Sequence, residues 1–260
     1  MFARVFNLTK YNPWNLAIWF LMAFQAGTIN TGAYIGCHRF ASHVTGFATL
    51  VGTEFASKNF TAAMSMATVP MFFLLGTMIS AYFVDRRVAA HKTPQYTFLM
   101  STITVLMFLA AAGGNFGLFG PFSTPVQDPP NLAILSILCL TCGIQNASIT
   151  SASGAVVRTT HLTGITTDLG IGLMRILSKG QSSDILKHEK RGTIMRIGII
   201  FAFILGSIIS SFVFNSNGFT GYYIPAIISS FLLILDLFER LNKRKLQNIA
   251  STNSTHRGQK

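Results

Sequence analysis

His43-Val44-Thr45-Gly46-Phe47-Ala48-Thr49-Leu50-Val51-Gly52 and His161-Leu162-Thr163-Gly164-Ile165-Thr166-Thr167-Asp168-Leu169-Gly170 are the stretches on which the fold turns. They share His, Val or Leu, Thr and Gly in order, with a second Gly six positions on. Each opens a semi-apolar segment, 44–57 and 162–177. A helix of about 14–16 residues is roughly 21–24 Å long, short of the ~30 Å hydrocarbon core of a bilayer. Whether these segments cross or turn back decides the topology.

Outward from them the chain is a series of long apolar runs. Six stand out, over 14–36, 60–84, 94–113, 131–152, 193–214 and 220–238, each near the ~20 residues that span a membrane as a helix. Hydrophobic residues make up 50% of the 260 and charged residues 11%, against about 25% charged in soluble domains. The mean hydropathy is +0.48. So few charges cannot clothe a water-soluble surface, which excludes most soluble enzyme classes. Trp14 and Trp19 open the first run as an interfacial aromatic belt would. The N-terminal stretch lacks the small-residue cleavage pattern of a secretory signal.

The net charge of +12 does not point to nucleic acid, because the basic residues fall in short loops and the C-terminal tail. If 44–57 and 162–177 return to the side they came from and the N-terminus is cytoplasmic, eighteen of the twenty Lys and Arg lie inside, leaving Arg39 and Lys58 outside. If both segments cross, the division becomes fifteen to five. The first arrangement obeys the positive-inside rule better. It places 85–95, 178–192 and the tail in the cytoplasm and the loop 113–130, free of Lys and Arg, outside.

Two further stretches recur in the same order as the quoted pair. Phe24–Ile29 matches Ile144–Ile149 at an offset of 120, and Phe73–Ser80 matches Phe203–Ser210 at an offset of 130, against 118 for the His-Thr-Gly elements. The growth of the last offset follows from the longer basic loop near 178–192. An ordered set of three indicates a duplication, with repeats over about 14–113 and 131–238. Three crossings per half is an odd number, so the second half enters from the opposite face. The expected fold is an all-α polytopic membrane protein: six transmembrane helices plus two short re-entrant helices in two inverted-topology repeats. Residues 1–238 form one membrane domain, and 239–260 a basic, disordered cytoplasmic tail.

Half-helices entering from opposite faces would bring their N-termini together near the midplane, with Ser42 or Thr45 capping the first. Free N–H groups and positive dipole ends there suit an anion or a polar solute. Thr45, Gly46, Thr163 and Gly164 are therefore candidate substrate-binding residues; alternatively, Thr and Gly at these positions serve only close helix packing. Asp168, whose counterpart is Leu50, is a carboxylate in a membrane segment, where a partner or a function is expected. Arg175, on the same helix face, and Arg158, on the approach, are its candidate partners, in a coupling role or a structural ion pair. Gln25, Gln145 and Asn146, together with Asn30, place amides in the first and fourth runs, to line a polar path or to bond across helices. Gly76 with Ser80, and Gly206 with Ser210, form small-residue packing faces. Cys37, Cys139 and Cys142 lie in apolar runs and form no disulfide framework. His43 and His161 lack acidic or Cys partners at ligand spacing, so no metal and no cofactor is expected.

Thr45-Gly46, the run Gly143–Ala147 and Val157-Arg158-Thr159-Thr160-His161-Leu162-Thr163-Gly164 together resemble the YoaK family of bacterial multi-pass proteins, which carry a domain of unknown function. The resemblance covers about 14–238. It departs at Phe47, where the family usually has Asn, and at Asn30, where it often has Asp. It implies a location in the bacterial inner (cytoplasmic) membrane with both termini cytoplasmic, and architecture more firmly than activity. The functional expectation is a transporter or channel for a small polar or anionic solute, held between the two Thr-Gly elements. The alternative is a non-transport scaffold or partner-binding subunit. Catalytic signatures such as Gly-x-Ser-x-Gly, His-Glu-x-x-His or a phosphate loop are absent, so no enzyme is expected. The partners are the lipid bilayer and a small solute, with no nucleic acid; an oligomer is compatible with the sequence.

Overall fold

The computed structural model describes residues 11–124, 129–155, 157–178 and 182–257. Arg4, Lys10, Lys179 and Lys260, counted above among the cytoplasmic charges, lie outside the described residues. The described chain is helical throughout, with no strand: α1 Pro13–Cys37, α2 Val44–Ala56, α3 Phe60–Phe83, α4 Asp85–Ala89, α5 Tyr96–Asn115, α6 Pro129–Ala152, α7 Leu162–Leu177, α8 Ser183–Asn217, a 3-10 turn Gly218–Tyr222 and α9 Tyr223–Arg257.

Local chemistry sets several of these ends. Asn12 accepts a hydrogen bond from Asn15 N at 2.8 Å, with Pro13 pre-set in the first turn. Asn59 opens α3 by accepting from Ala62 N at 3.3 Å. Ser182 does the same for α8, accepting from Ile185 N at 3.5 Å. That cap starts α8 at Ser183, ten residues before the apolar run expected at 193, so the charged stretch Ser183–Gly192 is a helical extension of the span. The helix α9 likewise continues to Arg257, through the basic stretch that composition assigns to a disordered tail. Trp14 is exposed, but Trp19 is fully buried: it belongs to the core and not to an interfacial belt.

Among the described residues, four helical runs are long and apolar enough to cross a membrane: Phe60–Ala89, Tyr96–Asn115, Pro130–Ala152 and Ser183–Asn242, the last comprising α8, the turn and the first part of α9. α1 is not among them. It carries Gln25, Thr28, Asn30 and Thr31, and over half of its residues are buried, so it is an interior helix lowered in hydropathy by its own polar groups.

Two close crossings organise the bundle. α1 packs on α8, and α3 packs on α6. At the first, a β-carbon on Gly27 would overlap the Phe203 carbonyl oxygen, and one on Gly206 would overlap that of Phe24. At the second, Gly143 meets the Phe73 carbonyl and Gly76 that of Leu140. Backbones this close exchange the hydrophobic filling of side chains for direct dispersion and weak Cα–H contacts to carbonyl oxygens. Around the crossings, α5 packs on α9 and α6, α2 on α3, and α7 on α8, whereas α1 and α6 meet through a thinner contact.

Helix directions follow from which ends meet. Tyr11 stacks edge-on to His188 at 6.4 Å, and Gly32 lies under Phe214, so α1 and α8 run parallel. The contact of Ser80 with Ser148 at 3.1 Å and of Ser151 with Asp85 at 2.9 Å makes α3 and α6 parallel as well. The end of α1 reaches the loop that leads into α6, where Gly36 faces Phe122 and His38 Nε2 lies 3.2 Å from the Ser123 oxygen. α1 is therefore antiparallel to α6. α1 ends and α3 begins at one end of the bundle, while α6 ends and α8 begins at the other. The short helices α2 and α7 are attached at these opposite ends.

The pairing also bears on the offset at which the recurring stretches are matched. Gly27 and Gly143 play one role, and so do Phe24 and Leu140, which sets the α1–α6 offset at 116 rather than 120. The difference is about one helical turn. A shift of that size keeps the same residues on the same face, which is why an apolar string can be aligned a turn out of place.

Candidate functional site

The two His-Thr-Gly elements are built alike. His43 and His161 are the N-cap residues of α2 and α7, without a side-chain capping bond. Neither Ser42 nor Thr45 caps α2, contrary to expectation. The glycine three positions on makes room for the imidazole: a β-carbon on Gly46 would stand 2.6 Å from His43 Nδ1, and one on Gly164 2.8 Å from His161 Nδ1. Each His ring thus folds over the first turn of its own helix. The lead-in is also shared. Asn30 Oδ1 accepts from Ser42 N at 3.2 Å and from Ser42 Oγ at 3.1 Å, while Asn146 Oδ1 accepts from Thr160 N at 3.5 Å. Asn30 is seven residues before the end of α1 and Asn146 six before the end of α6. At 1.5 Å per residue, each short helix starts about 10 Å inside its own end of the bundle.

The expectation that Thr45-Gly46 and Thr163-Gly164 meet at mid-membrane is overturned. α2 packs on α3, α7 packs on α8, and α2 and α7 share no packed interface. Thr45 and Thr163 are exposed and Gly46 and Gly164 half-buried. The cause is depth: each asparagine holds its lead-in turn only about 10 Å inside its own end of the bundle, and the two short helices pack on different partners. What forms instead beside α2 is a groove of about 420 Å³ lined by His38, Arg39, His43, Gly46 and neighbouring side chains of the first two turns.

Asp168 is exposed and, among the described residues, takes part in no ion pair. Of its expected partners, Arg175 is engaged elsewhere and Arg158 forms no ion pair among the described residues. Arg158 is exposed. Arg175 Nη1 is 2.7 Å from Glu189 Oε1 on α8, and Arg196 Nη1 is 3.8 Å from the other Glu189 oxygen. Gly172 of α7 lies against this cluster, where a β-carbon would come 2.9 Å from Arg196 Nη1 and 3.1 Å from Thr193 Oγ1. Tyr11 closes it from the α1 side. Burial holds its phenol above the ordinary value; the Arg196 guanidinium pulls it back down.

Gln25 and Gln145 are buried as expected, and both bond across helices. Gln25 Nε2 donates to the Pro225 carbonyl at 3.0 Å, and Gln145 Nε2 to the Met22 carbonyl at 2.8 Å. Gln145 Oε1 is buried without a hydrogen-bond partner, at the thin contact between α1 and α6. Thr28 donates to Phe24 O at 3.1 Å and approaches Gly206 O at 3.5 Å. Cys37, Cys139 and Cys142 are free and buried.

One acid that sequence reading passed over is the most buried charge among the described residues. Asp236 on α9 is fully buried. Its Oδ2 accepts from Thr97 Oγ1 and from Arg240 Nε at 3.0 Å, one turn on, while Oδ1 has no hydrogen-bond partner. The available signal was an acid four residues before an Arg inside an otherwise apolar run, Phe231–Phe238.

These features define a helical, membrane-like protein with polar groups both at its helix joints and buried between its long helices. The chain belongs to the family described as a protein of unknown function (DUF1275), whose model matches residues 18–235. No curated protein matches the chain, and no solved structure does.

Proposed function

We propose that the chain is a six-crossing membrane protein made of two inverted halves, with α2 and α7 as re-entrant helices, and that it acts as a carrier for a small polar solute. The YoaK resemblance is consistent with the DUF1275 match and carries the expectation of an inner-membrane location. The basic ends of α3, α8 and α9 face the cytoplasm in this reading.

The observation that carries the proposal is the exchange of helices between halves. Each close crossing joins one helix of the first half to one of the second. Two groups result, α1 with α8 and α7, and α3 with α6 and α2, and the α5–α9 pair joins them at one side, with α5 on α6 and α9 and its 3-10 turn on α1 and α8. The two groups meet at the thinner α1–α6 seam, where Gln145 keeps a carbonyl oxygen unpaired. A carrier that rocks one bundle against another about a site near the midplane has this division of stiffness. The solute-binding residues move accordingly from the Thr-Gly elements to the seam, with Gln145 foremost and Gln25 beside it. Spin labels on exposed residues test the motion: Tyr34 with Phe60 at one end, Tyr82 with Ile194 at the other. Rocking predicts two distance populations at each end that change in opposite senses. A single population at both ends, unchanged across a panel of polar solutes, overturns the carrier and leaves the scaffold reading.

A further inference from the structure

We propose that the α3–α4 corner is a binding site for a phosphate group, such as the headgroup of an anionic lipid. α3 ends at Phe83, and Asp85 starts α4 after a one-residue break. The break folds three cations around a groove of about 210 Å³ lined by Tyr82, Phe83, Arg86, Arg87, Ala90 and Lys92. Two of the cations are oriented by the fold. The Arg86 guanidinium lies over the Tyr82 ring at 4.6 Å, a placement that holds an exposed guanidinium while leaving its N–H edges free. Arg87 Nε donates to the Thr93 carbonyl at 2.8 Å, which leaves its two terminal nitrogens free. A planar fork of this kind matches phosphate oxygens in pairs.

The acid next in sequence does not neutralise them. Asp85 Oδ2 accepts from Ser151 Oγ on α6 at 2.9 Å, and among the described residues Arg86, Arg87 and Lys92 form no ion pair. Packing of the corner does not require charge, although on the proposed topology the two corners lie on opposite sides of the membrane and the basic one is cytoplasmic. At the corresponding end of α8, a 3-10 turn holding Phe219 and Tyr222 packs on Phe214, with no Lys or Arg between Asn215 and Phe238. Of two equivalent corners, one is an uncharged aromatic turn and the other an open cationic groove at the end of an apolar span, with Tyr82 exposed beside it. That is where a lipid phosphate lies.

The full chain, purified in mild detergent, is offered phosphatidylglycerol or phosphatidylcholine, and retained lipid is counted by native mass spectrometry. A second arm measures binding of inorganic phosphate alone. The variant Arg86→Gln, Arg87→Gln, Lys92→Gln alters exposed or half-exposed side chains, so it folds; Arg244→Gln, Lys245→Gln removes charge from the tail as a control. Preferential retention of phosphatidylglycerol is expected, falling roughly fivefold for each groove cation removed and unchanged in the tail variant. Phosphate binding without lipid preference, lost in the groove variant, supports the same site with a soluble phosphate as its ligand. Equal retention of both lipids with no phosphate binding, or a preference that survives the groove variant, overturns the proposal. The result does not depend on whether the protein moves a solute.

Discussion

The joint of α2 on α3 and the joint of α7 on α8 begin the same way and end differently. Both start with an asparagine holding the lead-in turn and a histidine ring laid over a glycine. Beyond that, α2 buries only Phe47 and leaves a groove beside Arg39 and His43. α7 buries Ile165 and Gly172 and is fastened by the Arg175–Glu189–Arg196 cluster. Position 54 of α2, which corresponds to Gly172, is a glutamate that is not in an ion pair among the described residues. The shared part fixes the start of each short helix against the long helix before it. The unshared part is the ion-paired cluster at the α7–α8 joint, which the α2–α3 joint lacks among the described residues. The close crossings, in contrast, are alike in both halves down to the carbonyl each glycine meets.

The crossings give the largest expected effects. Gly27→Ala, Gly206→Ala, Gly76→Ala and Gly143→Ala each drive a methyl group into a backbone carbonyl that cannot step aside. Each is expected to lower unfolding stability in detergent by about 3 kcal/mol, with sharply reduced accumulation in the membrane. Gly52→Ala and Gly170→Ala, in the short helices with open space around them, are expected to accumulate as the parent does. Equal behaviour of the two groups would remove the crossings from the centre of the fold.

The two acids come next. Asp236→Asn weakens the hydrogen bonds to Thr97 and Arg240 in a fully buried position and is expected to cost about 2 kcal/mol. Asp168→Asn is expected to leave the unfolding midpoint where it is. A thermal melt of the pair ranks them, and a larger drop for Asp168→Asn would mean that the exposed carboxylate has a partner in the folded membrane state.

That ranking marks how far the sequence could be read. Element limits were legible: the short segments expected over 44–57 and 162–177 are helices over 44–56 and 162–177, because glycine, threonine and charge interrupt the apolar pattern sharply there. The charged start of α8 was not, since a polar helix outside the membrane carries no apolar period, and only Ser182 signals it. Asp168 drew attention because its neighbours mark it as special, yet burial is a tertiary property, and α7 lies on the outside of the bundle. Asp236 sits in a run that reads as ordinary span with a basic end, and only the arrival of Thr97 from α5 completes its surroundings. The Arg175–Glu189–Arg196 cluster likewise has no signature in the sequence, because only the packing of α7 on α8 brings Arg175 to Glu189.

Glu189→Gln sharpens the contrast between the joints. Arg175 is largely exposed, so its pair is worth about 1 kcal/mol at most, and the longer Arg196 contact at 3.8 Å is lost with it. Hydrogen exchange of 162–177 is expected to quicken by roughly fivefold while 44–56 keeps its rate. An equal change in both would mean that the cluster stabilises the whole bundle and does not fasten α7.

The smallest effect concerns the element the joints share. Asn30 Oδ1 accepts two hydrogen bonds from Ser42, at 3.2 and 3.1 Å; Asn146 Oδ1 accepts one from Thr160, at 3.5 Å. Both groups are half-buried, so water replaces part of what an alanine removes, and the net cost of Asn30→Ala is expected to be about 0.5 kcal/mol. Asn146→Ala is expected to cost less, since it gives up a single longer bond. The effect is local: the lead-in turn loosens and the N-terminal end of the short helix is freed from its anchor on the preceding span. Thiol labelling of Thr45→Cys in the Asn30→Ala background, compared with Thr163→Cys in the Asn146→Ala background, reads that loosening directly. Faster labelling at position 45 than at 163, each relative to its own parent, is the expected order. The reverse order would place the firmer anchor in the second half, where the ion-paired cluster already fastens α7, and the first half would then rely on Phe47 alone to keep α2 turned back.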